Sequence, residues 1–449
     1  MAADHENGAV REWRSRAVWI AALAASVLVA IPAAFRGGYI GPDYWTHFRR
    51  LTDWSQVFDL AASNPPGYYL IGYGLFHLIG SSNAFPITLS ILQAAINAVA
   101  LGFFLLYSER RFSSRLVHLG FAIFLTFLPV RVIHVTAISA DATTIPLFVL
   151  ILFLFEKLRC APTSTLRDAV VLGLGLAIAI FIKYSFMALI PAVLVLLVFM
   201  AWNRRWKLSR FVAIAALALT LPSAVAAGSF WASSRLHGYN TEKHWAKGVP
   251  PDMDFQDLFF LSRADMQLFR APELSKHHIL FPHLHSYLGL SHMGVFTDPM
   301  DLFQDLSVPQ GFGAVLIPEQ KTRKPWKTPV MQVSMAMGTI WTLLALAGTA
   351  WTIPIAIRNV RLDKLEREHV AVILGIAYFL LMFLPIPFVH AGARFGYWMP
   401  RLILPPLLCF FWAAFLLIDR KIVGERRIVA SAIFLLVLIQ CAIETVFLV

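Results

Sequence analysis

The sequence predicts an all-α polytopic membrane protein with about eleven transmembrane helices. Three observations carry this. Of the 449 residues, 58% are hydrophobic and only 14% charged, whereas soluble proteins are about half apolar and about a quarter charged. Apolar runs of about 20 residues, long enough to cross a hydrocarbon core of about 30 Å, recur along the chain. The Lys and Arg residues sit in short clusters between those runs, so the formal charge of +12 records membrane topology and not a nucleic-acid surface. An ordinary soluble enzyme is excluded. Cys160, Cys409 and Cys441 fit neither a disulfide framework nor a Cys-rich metal site.

The first run, Ala17 to Phe35, follows Arg11, Arg14 and Arg16. It exceeds the apolar core of about 7–15 residues expected of a signal peptide, so it reads as the first span. Further spans are predicted near 84–107, 116–134, 142–156, 168–182, 185–202, 211–231, 330–357, 369–389, 397–418 and 428–449. The run 67–80 is apolar but short and has no charged boundary on its far side, so it is expected to be a re-entrant or interfacial helix.

Counting charges tests this arrangement. With eleven spans, the clusters Arg11/Arg14/Arg16, Arg110/Arg111/Arg115, Lys157/Arg159/Arg167, Arg204/Arg205/Lys207/Arg210, Arg358/Arg361/Lys364/Arg367 and Arg420/Lys421/Arg426/Arg427 all fall on one side. They hold 21 of the 38 basic residues, in short loops where the positive-inside rule works best. A full span at 67–80 would make the clusters alternate. The amino terminus is therefore expected to be cytoplasmic and the carboxyl terminus outside. The outer side then receives 36–83, 135–141, 232–329, 390–396 and a short turn at 182–185. Residues 1–231, including the first outer segment 36–83, form one expected module. A cap of about 98 residues, 232–329, carries seven of the fourteen histidines and is too long to lack a function. Residues 330–449 complete the set of helices.

Candidate chemistry concentrates at the outer boundary. Gly41-Pro-Asp43-Tyr-Trp-Thr-His47 places an acid among aromatic residues suited to the headgroup level. Helix capping is the simpler role for such an Asp. Asn64-Pro-Pro-Gly-Tyr68-Tyr69 bends the chain into the 67–80 helix. Asp141, in Ile-Ser-Ala-Asp-Ala-Thr-Thr, sits at the outer mouth between two spans, with Arg131 and His134 just before it. Lys183, followed by Tyr184, is a lone cation between two apolar runs. Ionisable residues at such depth are functional candidates by default, and snorkelling is the alternative for the cations. His277, His278, His283, His285 and His292 lack the spacing of a zinc site, so substrate contact, with His283 and His285 as candidates, or interfacial packing is expected of them and no metal site. There is no P-loop or dinucleotide fingerprint.

In order, Asp43, Asn-Pro-Pro-Gly-Tyr-Tyr, a span ending Glu109-Arg-Arg-Phe, Ser-Ala-Asp141-Ala, and Lys183-Tyr-Ser-Phe-Met-Ala-Leu-Ile-Pro191 resemble the GT-C superfamily of polytopic glycosyltransferases. The likeness is greatest to the branch with protein O-mannosyltransferases and the aminoarabinose transferase of lipid A, and it covers roughly residues 17–200. Two positions depart from the family pattern: Tyr44 stands where a second acid often follows the first, and Asn64 where His often precedes Pro-Pro. The resemblance implies inverting transfer of a sugar from a polyprenyl-phosphate donor to a lipid, glycan or protein acceptor on the non-cytoplasmic face. In that scheme Asp43 is the general base and Asp141 holds the acceptor or assists. Lys183, Arg394 and Arg131 bind the donor phosphate, with His47, Tyr68, Tyr69, Tyr184, His283 and His285 contacting substrate. A divalent cation is the one cofactor it leaves open. Compact loops and the absence of eukaryotic retention signals point to a bacterial inner membrane with the site periplasmic. A transporter or lipid-linked sugar flippase is the rival class, to be recognised by mid-span charges and paired broken helices.

Overall fold

The computed structural model describes residues 20–31 in part, then 44–58, 65–80, 84–161, 166–237, 292, 295–296, 327–361, 364–383, 403–424 and 426–448. Among the described residues the chain is helical throughout, with no strand. Two short helices, α1 (Tyr44–Thr52) and α2 (Trp54–Val57), precede α3 (Gly67–Ile79) and the long α4 (Ala84–Glu109). Then follow α5 (Arg115–Phe127), α6 (Pro129–Thr136), α7 (Thr144–Cys160), α8 (Leu166–Ile182), α9 (Leu189–Asn203) and α10 (Leu208–His237). The carboxyl portion supplies α11 (Lys327–Arg361), α12 (Arg367–Phe383), α13 (Leu404–Leu417) and α14 (Arg427–Leu448).

Among the described residues, five helical segments are long and apolar enough to cross a membrane: Ala84–Glu109, Tyr184–Asn203, Leu208–Ser229, Gln332–Val360 and Arg427–Glu444. The α5–α6 pair makes a sixth if taken as one bent span. Helices α7, α8 and α12 have 17 residues each, or about 26 Å at 1.5 Å per residue. Large apolar side chains such as Phe103, Phe153, Ile178, Leu343 and Ile428 point outward unburied, as helices facing hydrocarbon require. The chain has the character of a helical membrane protein.

The run predicted as one span at 116–134 is instead broken. Leu128 takes φ −56° and ψ 118°, and α6 leaves at 49° to α5. Pro129 is the cause: it has no N–H to continue the ladder and forces the residue before it out of the helical region. The helix expected at 211–231 continues to His237, into the segment assigned to the outer loop. The 67–80 run forms a 13-residue helix, α3, that ends on Gly80 in the left-handed region at φ 65°, a common helix stop.

Aromatic packing ties the two portions of the chain together. Trp412 of α13 lies edge-on to Phe104 and Tyr107 of α4, and Trp341 of α11 stacks on Phe415 at 5.3 Å. Gly348 allows α11 and α13 to touch, since a Cβ there would lie 2.5 Å from the Ala413 backbone. At the other end of the molecule, a Cβ on Gly67 would lie 2.6 Å from the Phe181 carbonyl oxygen. Glycine thus lets the start of α3 sit against the last turn of α8, next to Lys183.

The basic loops meet at one end of the bundle. Arg111 pairs with Glu366 and, at 2.6 Å, with Glu368, which also receives Arg420 at 3.1 Å. Arg159 donates to the Leu365 carbonyl at 2.6 Å and Arg204 to the Ala161 carbonyl at 3.2 Å. Asp419 accepts from the Ser113 and Ser114 amides at 2.6 and 2.9 Å. Five of the six basic clusters therefore contribute to a single polar layer, while the amino-terminal cluster lies outside the described residues.

Candidate functional site

Both α7 and α8 have one end in that polar layer, so Asp141 and Lys183 mark their opposite ends, about 25 Å away along 17 residues of helix. A 3-10 turn, Ala140–Thr143, leads into α7, and its cap is Ser139. The Ser139 hydroxyl accepts from the Asp141 amide at 3.1 Å and donates to Asp141 Oδ2 at 3.2 Å. Capping is thus the work of Ser139, and the Asp141 carboxylate is turned to Lys183, whose Nζ lies 2.5 Å from Oδ1. Lys183 sits in extended backbone where α8 gives way to the 3-10 turn Tyr184–Ala188. Asp141 is 2% exposed and Lys183 8%, so the lysine does not snorkel to water. Two interrupted helices hold one desolvated ion pair between them.

Polar side chains from four elements surround the pair. The Tyr378 hydroxyl of α12 donates to Ser185 Oγ at 2.6 Å. Asn97 of α4 donates to the Ala142 carbonyl at 2.6 Å, and Ser90 to the Thr136 carbonyl at 2.6 Å. Tyr68 of α3 accepts from Gln93 Nε2 at 2.7 Å. Burial above all, then the adjacent Tyr69, pushes the Tyr68 phenol above its ordinary value, and Asp141 adds to the shift. At neutral pH Tyr68 therefore keeps its proton and can donate it in a hydrogen bond.

Tyr69 extends the site toward α1. Its hydroxyl lies 2.6 Å from His47 Nδ1 of α1, and the Arg50 guanidinium stands 3.6 Å over its ring. Arg50 also donates to the Gln56 and Val57 carbonyls, both at 3.2 Å, which folds the end of α1 back over α2. Tyr184 lies within electrostatic reach of Arg50 and beside Ser229 of α10. Of the residues singled out in the sequence, Asp141, Lys183, His47, Tyr68, Tyr69 and Tyr184 therefore fall in one region. Asp43, immediately before α1 in the chain, and Arg394, His283 and His285 lie outside the described residues.

Arg131 is brought close to this end, where its guanidinium meets backbone. Its guanidinium donates to the Leu125 carbonyl at 2.8 Å and to the Thr126 carbonyl, with the Ser26 hydroxyl at 3.4 Å. These are carbonyls that the break at Pro129 strips of helical partners. Arg131 is 1% exposed and serves as the end-cap of α5. His292, from the 232–329 segment, packs on α11 through Thr342 at 3.0 Å and the Met335 carbonyl at 3.2 Å.

Sequence inspection missed Arg50, Gln93, Asn97, Ser185 and Tyr378. Gln93 and Asn97 carry a usable signal: two carboxamides four residues apart lie on one face of a helix that must sit in hydrocarbon. A scan against protein-family models and a search of curated proteins found no match to this chain. Its chemistry must therefore be argued from the site. One acid–histidine group, Glu366, Glu368 and His369, has ligand atoms within 4.8 Å of one another, but it belongs to the opposite, basic end. There Arg111 already lies between the two carboxylates.

Proposed function

We propose that the chain is an inverting GT-C-type glycosyltransferase that moves a sugar from a polyprenyl-phosphate donor to an acceptor at the outer membrane boundary. The observation that carries this reading is the buried Asp141–Lys183 pair, set in a ring of hydroxyl and carboxamide groups at the end opposite the basic layer. A lipid-linked donor needs charge and hydrogen-bonding groups at that boundary and needs no nucleotide site. The finer reading has eleven spans in the GT-C arrangement, basic layer cytoplasmic, in a bacterial inner membrane with the site periplasmic.

In this reaction an acceptor hydroxyl oxygen attacks the anomeric carbon from the face opposite the phosphate. Asp43 takes the hydroxyl proton, and the carbon–oxygen bond to the phosphate breaks with its electron pair leaving on the lipid phosphate. Lys183 stabilises that charge in a desolvated setting where a single cation counts for more than it would in water. Asp141 orients the ammonium until the donor arrives, and Arg394 is assigned to the same phosphate. His47 ties the helix that follows Asp43 to Tyr69, next to Tyr68 at the Asp141 turn. Membranes supplied with labelled polyprenyl-phosphate sugars test the base: Asp43→Asn is expected to express normally and lose transfer by about 100-fold or more. Undiminished turnover in that variant removes Asp43 from the mechanism.

A second reading has one observation in its favour. The interruptions at 137–143 and 183–188 lie on neighbouring helices and flank a buried ion pair, as in transporters built on broken helices. A flippase would move a fluorescent polyprenyl-phosphate sugar across a liposome bilayer without transferring the sugar, so the two activities separate in one preparation.

A further inference from the structure

Gln93 and Asn97 stand one turn apart on the face of α4 that meets the Asp141 turn, 6% and 1% exposed. Asn97 Nδ2 donates to the Gln93 carbonyl at 2.9 Å and to the Ala142 carbonyl at 2.6 Å. Gln93 Nε2 donates to the Tyr68 hydroxyl. The Asn97 bonds fix which end of that carboxamide is nitrogen, because a reversed amide would press oxygen against two carbonyl lone pairs. Its oxygen, and that of Gln93, are left over: Asn97 Oδ1 and Gln93 Oε1 are buried with no hydrogen-bond partner. A buried acceptor without a donor is destabilising, and here two occur side by side next to a buried carboxylate.

Such a pair is met by a ligand that brings donors. A metal cation fits poorly, because the Lys183 ammonium already neutralises Asp141 at 2.5 Å and would repel a second positive charge. Neutral hydroxyl groups match neutral carboxamide oxygens and leave the ion pair intact. We propose that Gln93 and Asn97 accept hydrogen bonds from hydroxyl groups of the transferred sugar and set which sugar the site takes. This rests on the glycosyltransferase reading above.

The test measures relative kcat/KM for a polyprenyl-phosphate hexose and its monodeoxy analogues, in the wild type, Gln93→Met and Asn97→Leu. Because both donors are compared on one protein preparation, partial misfolding cancels from the ratio. The wild type is expected to prefer the parent sugar over at least one deoxy analogue by about 10-fold or more, and one of the variants to reduce that preference to about 2-fold or less. Transfer with no such preference in the wild type, or with the preference unchanged in both variants, overturns the assignment and leaves the glycosyltransferase reading standing. If no sugar is transferred, and none raises the melting temperature of the solubilised protein above the value with polyprenyl phosphate alone, both fall together.

Discussion

Asp141 and Lys183 hold opposite charges where water does not reach, and such a pair is costly to break from one side. Removing one partner strands the other charge in low dielectric, at about 3–5 kcal/mol, whereas removing both with apolar groups of similar size is often neutral. Asp141→Leu and Lys183→Met should therefore each lower the melting temperature in detergent, and the double variant should recover most of the loss while remaining without transfer activity. Purely additive losses would show that the two charges do not depend on each other. Each residue was legible alone, as a charge between apolar runs. Their pairing was not, because 42 positions of chain separate them and only the packing of α7 on α8 brings them together. Tyr378 was harder still, since a lone uncharged polar group in a helix announces a site only when its partner is known.

At the scale of the helix, the break between α5 and α6 is the instructive element. The apolar run 116–134 suggests one straight span, and the proline within it bends the helix by a local steric rule that apolarity does not weigh. Arg131, assigned from the sequence to donor phosphate, is occupied with the Leu125 and Thr126 carbonyls that the break exposes. Arg131→Leu should then destabilise the protein by about 1–3 kcal/mol, the cost of leaving buried carbonyls unmet. Arg131→Lys should restore little, having no planar fork to span two acceptors. Thermal unfolding checks the first effect and donor KM separates the roles: an unchanged melting temperature with raised KM would return Arg131 to the phosphate. The α3 helix was read with its bounds nearly right, because length and a glycine stop are local properties.

For the whole molecule, the distribution of basic residues said most. Five clusters, far apart in sequence, join in one polar layer, Arg111 and Arg420 through Glu366 and Glu368, Arg367 through Glu156, and Arg159 and Arg204 through the Leu365 and Ala161 carbonyls, and the candidate site occupies the other end. Charge counting expects the clusters to share a side, and the five described ones meet at one end of the bundle; the contacts that link them there are not legible from charge alone. The orientation has a native probe. Cys160 is exposed in the polar layer, while Cys409 and Cys441 are buried. In intact cells a membrane-permeant maleimide should label the protein and an impermeant one should not, unless the membrane is opened. Labelling of intact cells by the impermeant reagent would invert the topology. Above orientation stands the activity proposed for the end opposite the polar layer. Its most direct test is sugar transfer by the purified protein in liposomes, with labelled polyprenyl-phosphate donors and lipid or protein acceptors, comparing wild type with Asp141→Asn. Transfer by the wild type and a loss of about 100-fold in the variant, whose Lys183 ammonium is no longer held in place, is the predicted result; equal transfer by both, or none by the wild type with any donor, would contradict it.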